Sequence, residues 1–206
     1  MRSDVNSDFV YINIREYLGK STENEVGESE LSLLLADYSC PLNNEVNDFL
    51  HKSAIEFTRK NQSVTYLVFP SEGGALAGYF TIALKSLTIH GINISNTVKR
   101  KLSRISDLDE DTGTYTMSAY LIAQIGKNFN TNKSSRISGK TLLDLSLDVI
   151  RGLQYAGGGV VVFLESESND KLIKFYEDYG FKKFDVRLSK SERYASRNLV
   201  QMLKLI

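Results

Sequence analysis

Tyr176 is the side chain whose setting in this sequence most clearly predicts chemistry. It stands in the run NDKLIKFYEDYGF, which covers residues 169–181. A phenol has a pKa of about 10, so it stays protonated at neutral pH and can donate a proton to a departing anion. The alternative interpretation is structural, because a tyrosine packed on the apolar face of a helix occurs in many α/β proteins.

A second run predicts an anion site at the start of a helix. The segment SGKTLLDLSLDVIR covers residues 138–151, and its apolar residues recur at spacings of three and four, as on one helix face. The first N–H groups of such a helix have no intrahelical partner, and the helix dipole favours negative charge there. Two neighbouring cations add positive charge. We therefore expect a phosphate-binding segment formed by Arg136, Ile137, Ser138, Gly139, Lys140 and Thr141.

The elements that must position Tyr176 follow the order strand, helix, strand. A continuous β-branched and aromatic run at residues 160–165 is typical of a buried strand. Asn169 can cap the next helix, and Gly180 suits the left-handed residue that follows a helix end. Phe181 then opens another strand. A long apolar strand over residues 117–126 comes before the phosphate-binding segment.

The run around Tyr176 resembles the GCN5-related N-acetyltransferase (GNAT) superfamily. The signature of that superfamily is an Asn, six residues, a Tyr and then Gly-Phe. Asn169, Tyr176, Gly180 and Phe181 match this pattern.

The phosphate-binding segment resembles the pyrophosphate loop of the same superfamily. That loop reads Arg or Gln, two residues, Gly, one residue, and then Gly or Ala. Aligned on Gly139, this chain has Ser134 and Ile137 at the first two positions and keeps only the last glycine. This departure bears on how tightly the loop holds its ligand.

The resemblance implies both a fold and a co-substrate. The expected fold is α/β (α+β), a single domain over residues 1–206 with a mixed, mostly antiparallel central sheet flanked by helices. The expected co-substrate is acetyl-CoA, with its pantetheine paired along the strand at residues 123–127 and no metal involved. The residues that the resemblance assigns to the cofactor are Ile125, Gly126, Lys127, the segment from Arg136 to Thr141, Asn169 and Tyr176.

The implied reaction is direct transfer of the acetyl group to a primary amine of a small molecule or a peptide. A backbone N–H near Ile125 or Gly126 stabilises the tetrahedral oxyanion, and Tyr176 is the general acid for the thiolate. Glu165 is only a candidate for the general base, since water can also relay the proton.

Composition limits the other classes of function. The 206 residues include 42% hydrophobic residues and balance 25 basic against 25 acidic residues, which gives no electrostatic case for nucleic acid. The lone Cys40 excludes an internal disulfide, and two histidines without neighbouring ligands give a metal site little support. With no apolar run of signal or membrane length, we expect a cytoplasmic protein without a membrane partner.

The N-terminal half supplies the rest of the sheet. An edge strand is predicted at residues 9–15 and a helix at 44–57. Strands at 64–69 and 76–84 flank a turn-forming cluster at 70–74, which predicts a hairpin. The pattern breaks down at residues 94–113. There Ser95 caps a short basic helix, and the charged run 107–111 is best explained as a solvated turn.

Three alternatives remain beside the main prediction. A nucleotide-binding P-loop shares Gly139-Lys140-Thr141 but needs a glycine where Ser134 stands. Residues 42–81 resemble acetyltransferase toxins that act on aminoacyl-tRNA, so tRNA is an alternative acceptor through Lys99, Arg100, Lys101 and Arg104, although zero net charge argues against it. The altered loop would also suit a non-catalytic acyl-CoA-binding module. The oligomeric state is open, with a homodimer as one option.

Overall fold

A computed structural model of the chain describes residues 8–19, 25–130, 136–189 and 195–206. These residues form an open, mostly antiparallel eight-stranded sheet flanked by helices, as predicted. The strand order is β1-β2-β3-β5-β6-β8-β7, and β4 pairs with β5. The strands are β1 Phe9–Asn13, β2 Val64–Pro70, β3 Gly78–His90, β4 Leu108–Asp109, β5 Thr114–Lys127, β6 Val161–Glu167, β7 Lys182–Ser189 and β8 Arg197–Leu205.

Helices occupy most of the connections between these strands. The α-helices in the described part of the chain are α1 Glu25–Ala36, α2 Asn44–Lys52, α3 Ala54–Arg59, α4 Asn96–Leu102, α5 Gly139–Gly157 and α6 Asp170–Asp178. Short 3-10 helices cover Ile14–Glu16 and Gly91–Asn93.

The chain divides into two compact units. The first is made of Met1–Ala83 and Ile122–Ala156, and the second of Leu84–Leu121 and Gly157–Ile206. Strands β3 and β5 each continue from one unit into the other, so both units are built on shared strands.

The first unit buries its core between the N-terminal helices and the strands β2 and β3. Strand β1 lies at the edge of the sheet, antiparallel to β2, and β2 pairs with β3 through the predicted hairpin turn. The core includes Leu31, Leu50, Leu67 and Tyr79, each almost fully inaccessible to solvent. Burying large apolar side chains in this way is the main stabilising contribution to the unit.

The second unit buries a separate core around β6 and β8. These strands are antiparallel, with Phe163 opposite Leu203, and β7 pairs with the other edge of β8. Phe163, Leu203 and Phe184 pack together with Leu87 and Leu102 in one cluster. The short apolar run that predicted strand β6 is therefore a core strand.

Several boundaries differ from the sequence prediction, most clearly in the helix at residues 44–57 and in strand β3. The helix predicted over residues 44–57 is broken at Ser53, whose φ of −130° ends α2 and starts α3. This break lets Leu50 of α2 and Ala54 of α3 be buried in the same core. Strand β3 also continues past the predicted end at Leu84 to His90, with solvent-exposed residues near its middle.

Candidate functional site

The end of strand β5 is in close contact with the segment that follows α1. Gly126 has no side chain, and a Cβ atom built there would lie 2.2 Å from the Tyr38 hydroxyl oxygen and 2.5 Å from Val46 Cγ1. Any larger residue at position 126 would therefore displace Tyr38 or the strand. The sequence predicted Gly126 as a contact for the cofactor, and the structure adds a packing reason for its glycine.

The Tyr38 side chain is buried with its ring edge against Tyr79, at a centroid distance of 5.2 Å. Its hydroxyl has no hydrogen-bond partner among the described residues, whereas the Tyr79 hydroxyl donates to the Val46 carbonyl oxygen at 2.6 Å. Burial raises the pKa of Tyr38, and the neighbouring Tyr79 and Cys40 raise it further. Cys40 is itself buried, as free cysteines commonly are.

The structure brings the start of α5 and the end of β5 to the same place, at Gly78. A Cβ atom at Gly78 would lie 2.7 Å from the Gly126 carbonyl oxygen and 3.2 Å from Leu142 Cδ1. Leu142 is in the first turn of α5 and is buried. Two groups of predicted cofactor contacts, at residues 125–127 and 137–141, are therefore held near each other within the first unit.

Helix α5 starts at Gly139, within the segment that the sequence predicts to be helical, and Ser138 precedes it. The Ser138 hydroxyl accepts a hydrogen bond from the Thr141 backbone N–H at 3.0 Å, which is a helix N-cap. Ile137 is buried, and Arg136 and Lys140 are exposed to solvent. The helix dipole and these cations together make the helix start a favourable place for an anion. Ser134, the departure from the pyrophosphate-loop pattern, lies outside the described residues.

Helix α6 places Asn169 and Tyr176 in the second unit. The Asn169 side-chain oxygen accepts from the backbone N–H groups of Lys171 at 3.0 Å and Leu172 at 3.3 Å, so it caps the helix. The contact between Asn169 and a cofactor stays a prediction, and Asn169 shares no described hydrogen bond with Tyr176.

The C-terminal end of α6 forms a Schellman motif that contains Tyr176. The Gly180 N–H donates to the Glu177 carbonyl oxygen at 2.8 Å, and the Phe181 N–H donates to the Tyr176 carbonyl oxygen at 3.1 Å. Gly180 has a φ of +83°, the left-handed conformation that glycine adopts most readily. The Tyr176 and Phe181 rings meet at a centroid distance of 6.0 Å, which is the apolar contact that accompanies this motif.

The Tyr176 hydroxyl makes no hydrogen bond to another described residue, although the side chain is only 9% exposed. Burial raises the pKa of Tyr176 to about 12, because the charged phenolate would lose its hydration. The phenol is thus protonated at neutral pH, which the role of a general acid requires.

Glu165 is already engaged by neighbouring side chains. Its carboxylate accepts two hydrogen bonds from Arg187, at 2.5 and 2.6 Å, and one from Gln201 at 2.8 Å. A two-point pair with arginine holds both carboxylate oxygens in place. These contacts argue against Glu165 as the general base.

The basic residues near α4 form an exposed group, which we call the α4 basic cluster: Lys99, Arg100, Lys101 and Arg104. In the described part of the chain none of them is paired with a carboxylate, and only Lys99 is partly buried. Ser95 caps the helix by accepting from the Val98 N–H at 3.4 Å, as predicted.

The acidic run at residues 107–111 is only partly the turn that the sequence predicts, because Leu108–Asp109 form strand β4 and the turn begins at residue 110. The Asp109 carboxylate accepts from the backbone N–H groups of Asp111 and Thr112, which lowers the pKa of Asp109. The Asp109 carboxylate is therefore used in the local fold, and we assign it no role in binding a substrate.

Sequence reasoning missed Asn128, which follows directly after β5. Its side chain is only 4% exposed and binds backbone groups from two distant segments, at residues 37–39 and at Leu76. The only signal in the sequence is an asparagine at the end of a strand, which is too common to identify it.

The described residues contain no group of three or more His, Cys, Asp or Glu side chains arranged to hold a metal ion. Among the helices they form, none is both long and apolar enough to span a membrane.

The fold is the GNAT-like fold that the sequence resemblance predicted. Solved structures of two toxins with the GNAT fold, AtaT and KacT, match this chain along almost its full length.

The AtaT complex with acetyl-methionyl-tRNAfMet is 16% identical to this chain, with a TM-score of 0.58 and coverage of 94% of both chains. A tyrosine-to-phenylalanine mutant of KacT is 16% identical, with a TM-score of 0.59 and coverage of 95% of both chains. A mutant AtaT bound to the C-terminus of the antitoxin AtaR and acetyl-CoA is 13% identical, with a TM-score of 0.56, and covers 96% of this chain and 93% of AtaT. No family model matches the sequence, and the search of curated proteins found no match.

Proposed function

We propose that this protein is an acetyl-CoA-dependent N-acetyltransferase that transfers an acetyl group to a primary amine of a small molecule or a peptide. The observation that carries the proposal is the meeting of the α5 start and the β5 end at Gly78. The α5 start offers an anion site, and the β5 end offers the backbone hydrogen-bonding groups of a strand. A nucleotide thioester needs both, because it has a charged pyrophosphate and an amide-bearing pantetheine arm.

The residues at the α5 start fit a pyrophosphate. Ser138 satisfies the Thr141 N–H, while Gly139 at the first helical position leaves room for a ligand to approach the backbone. Arg136 and Lys140 are exposed and supply the positive charge that two phosphates require. The missing glycine at Ile137 does not remove these backbone donors.

The chemistry of the proposal balances with the residues of this chain. The amine nitrogen attacks the thioester carbonyl carbon, the C–N bond forms and the C–S bond breaks. Tyr176 donates its hydroxyl proton to the leaving thiolate and is then reprotonated from solvent, and the amine proton passes to solvent because Glu165 is engaged with Arg187. AtaT has been solved with acetyl-CoA, which supports this choice of acyl donor.

Aminoacyl-tRNA is the second candidate for the acceptor. The α4 basic cluster is exposed and unpaired among the described residues, as phosphate contacts require. AtaT was solved with acetyl-methionyl-tRNAfMet, which also supports this candidate. The balanced net charge of the whole chain is the argument against it.

The first prediction is that acetyl-CoA binds at the start of α5 and that Gly139→Asp weakens this binding. The new carboxylate would repel the pyrophosphate, whereas a negative charge at a helix N-terminus does not weaken the helix itself. We expect calorimetry to show at least tenfold weaker binding of acetyl-CoA, a loss of about 1.4 kcal/mol or more. Thermal unfolding without ligand should stay unchanged.

The matched control is Gly139→Asn, which adds a side chain of nearly the same size without the charge. It should retain most of the affinity for acetyl-CoA. If wild-type protein binds ATP with magnesium and does not bind acetyl-CoA at millimolar concentration, the proposal is wrong and the P-loop alternative is restored.

A further inference from the structure

We infer that Asn128 is a positioning residue for the cofactor strand, an inference that rests on the proposed function. It acts through the residues just before it in β5, Ile125 to Lys127, which the proposal assigns to the pantetheine. The inference is carried by the hydrogen bonds of one buried amide and by the tight contact at Gly126.

The Asn128 side chain is bonded at both ends of its amide group. Its Nδ2 donates to the Leu76 carbonyl oxygen at 2.8 Å and to the Asp37 carbonyl oxygen at 3.1 Å. Its Oδ1 accepts from the backbone N–H groups of Ser39 at 2.9 Å and Asn130 at 2.9 Å. One side chain thus joins the end of β5 to two segments that lie far away in the sequence.

Backbone hydrogen bonds add to this connection. The Asn128 N–H donates to the Ala77 carbonyl oxygen at 2.8 Å, and the Phe129 N–H donates to the Ser39 carbonyl oxygen at 2.8 Å. The backbone just past β5 is therefore held on both sides, by the residues before β3 and by the segment that follows α1.

The segment at residues 37–40 is irregular, yet its backbone polar groups are satisfied by side chains from elsewhere. The His51 ring nitrogen Nε2 lies 3.1 Å from the Tyr38 carbonyl oxygen, and the Asn47 side-chain oxygen accepts from the Cys40 N–H at 2.9 Å. An irregular segment with buried side chains at Tyr38 and Cys40 keeps one conformation when its backbone groups are paired in this way. Asn128 holds the start of this rigid segment.

The rigid segment in turn fixes β5 at Gly126. The Tyr38 hydroxyl oxygen lies 2.2 Å from the place that a Cβ atom of Gly126 would occupy, so the position of Tyr38 limits the position of the strand backbone. The chain of contacts runs from Asn128 to residues 37–39, and from Tyr38 to Gly126. Loss of the amide would let the strand end move, and a small displacement of binding groups lowers affinity strongly.

The test compares the binding of CoA and of acetyl-CoA by calorimetry at a temperature where every variant is folded. We expect Asn128→Ala to weaken the binding of both ligands by about tenfold or more, because the pantetheine loses its fixed partner. Two controls separate this effect from a loss of stability. Asn130→Ala removes an exposed amide that also donates to the Asp37 carbonyl oxygen, at 3.3 Å, and Leu87→Ala destabilises the core of the second unit. Both controls should retain the wild-type affinity.

Asn128→Asp provides a second test that does not depend on deleting the side chain. The aspartate keeps one oxygen that can accept from the Ser39 and Asn130 N–H groups. Its other oxygen faces the Leu76 and Asp37 carbonyl oxygens, to which it cannot donate when the carboxyl is ionised. Protonation of this buried carboxyl restores a donor, so the affinity of the variant for CoA should rise as the pH is lowered from 8 to 5, relative to wild type.

The possible outcomes have different meanings. Wild-type affinity in Asn128→Ala, or a loss of affinity of the same size in Leu87→Ala, overturns the inference and leaves the proposed function intact. Absence of CoA binding in the wild-type protein overturns the proposed function and the inference together.

Discussion

Tyr176 combines a structural role with a proposed chemical role in one side chain. Its ring is the apolar partner of Phe181 in the Schellman motif that ends α6. Its hydroxyl is not used in that contact and has no partner among the described residues. The ring contact therefore explains why residue 176 is aromatic, but it does not explain why the ring carries a hydroxyl group. The general-acid proposal accounts for that hydroxyl group.

The second prediction is that Tyr176→Phe lowers kcat by about 10²–10⁴-fold, the usual effect of losing a general acid. Phenylalanine keeps the ring contact, so the melting temperature and the affinity for acetyl-CoA should change little. Steady-state kinetics and calorimetry on the same preparations measure both quantities. Full activity of Tyr176→Phe would mean that Tyr176 has only a packing role and that another group donates the proton.

The pH dependence of stability follows from the raised pKa of Tyr176. The folded state binds the phenolic proton up to about pH 12, whereas the unfolded chain loses it at about pH 10. The native state therefore binds more protons than the unfolded state in this window, and stability falls as the pH rises through it. Wild-type protein should lose more stability than Tyr176→Phe between pH 10 and 12 in urea titrations.

At the scale of elements, α6 illustrates how a local sequence can determine both ends of a helix. Asn169 caps the start, and Gly180 adopts the left-handed conformation that allows the Schellman bonds. A Cβ atom at Gly180 would meet only the end of the Lys204 side chain, at 3.9 Å. Substitution there would thus be opposed by backbone conformation and not by a clash.

The third prediction compares two glycine-to-alanine substitutions. Gly180→Ala should lower the free energy of unfolding by about 1–2 kcal/mol, because a left-handed conformation is unfavourable for L-residues. Gly152→Ala should raise it by roughly 0.5–1 kcal/mol, because Gly152 lies inside α5, is exposed and has nothing near its Cβ position. Urea unfolding curves measure both. Equal effects of the two substitutions would contradict the assignment of Gly180 as a helix-ending residue.

A comparison of the predicted and observed elements shows which features the sequence can predict. The Asn169 cap and the Gly180 stop depend on residues within a few positions of each other, so local rules predicted them correctly. The break at Ser53 was missed because two short helices keep the same apolar spacing as one longer helix. Asn128 was missed because its partners Leu76 and Asp37 lie 52 and 91 residues away. Contacts of that separation leave no local pattern.

At the scale of the whole molecule, charge is the property that separates the two candidate acceptors. The chain has no net charge, yet the α4 basic cluster concentrates four cations in and just after a single short helix. A small amine gains nothing from this cluster. A tRNA would bind it through phosphates, and each contact would release counterions and make binding depend on salt.

The last prediction is a charge reversal of Lys99, Arg100 and Lys101 to Glu. These side chains are largely exposed and have no described ion pair, so the fold and the affinity for acetyl-CoA should not change. The matched control reverses Lys85, Lys182 and Lys183, which are also exposed and unpaired among the described residues. For a small-amine or peptide acceptor, both triple variants should acetylate as fast as wild type at any salt concentration. The zero net charge leads us to expect this result.

A tRNA acceptor predicts a different pattern for the same proteins. The α4 variant alone would lose activity, and the slope of log affinity against log salt would fall by about 0.9 for each lost phosphate contact. Expression of wild-type protein would arrest growth, Tyr176→Phe would relieve the arrest, and acetylated aminoacyl-tRNA would accumulate in the extract. Because acetyl-CoA binding stays the same in every variant, a difference confined to the α4 variant would assign the acceptor to nucleic acid and would leave the proposed acetyl transfer unchanged.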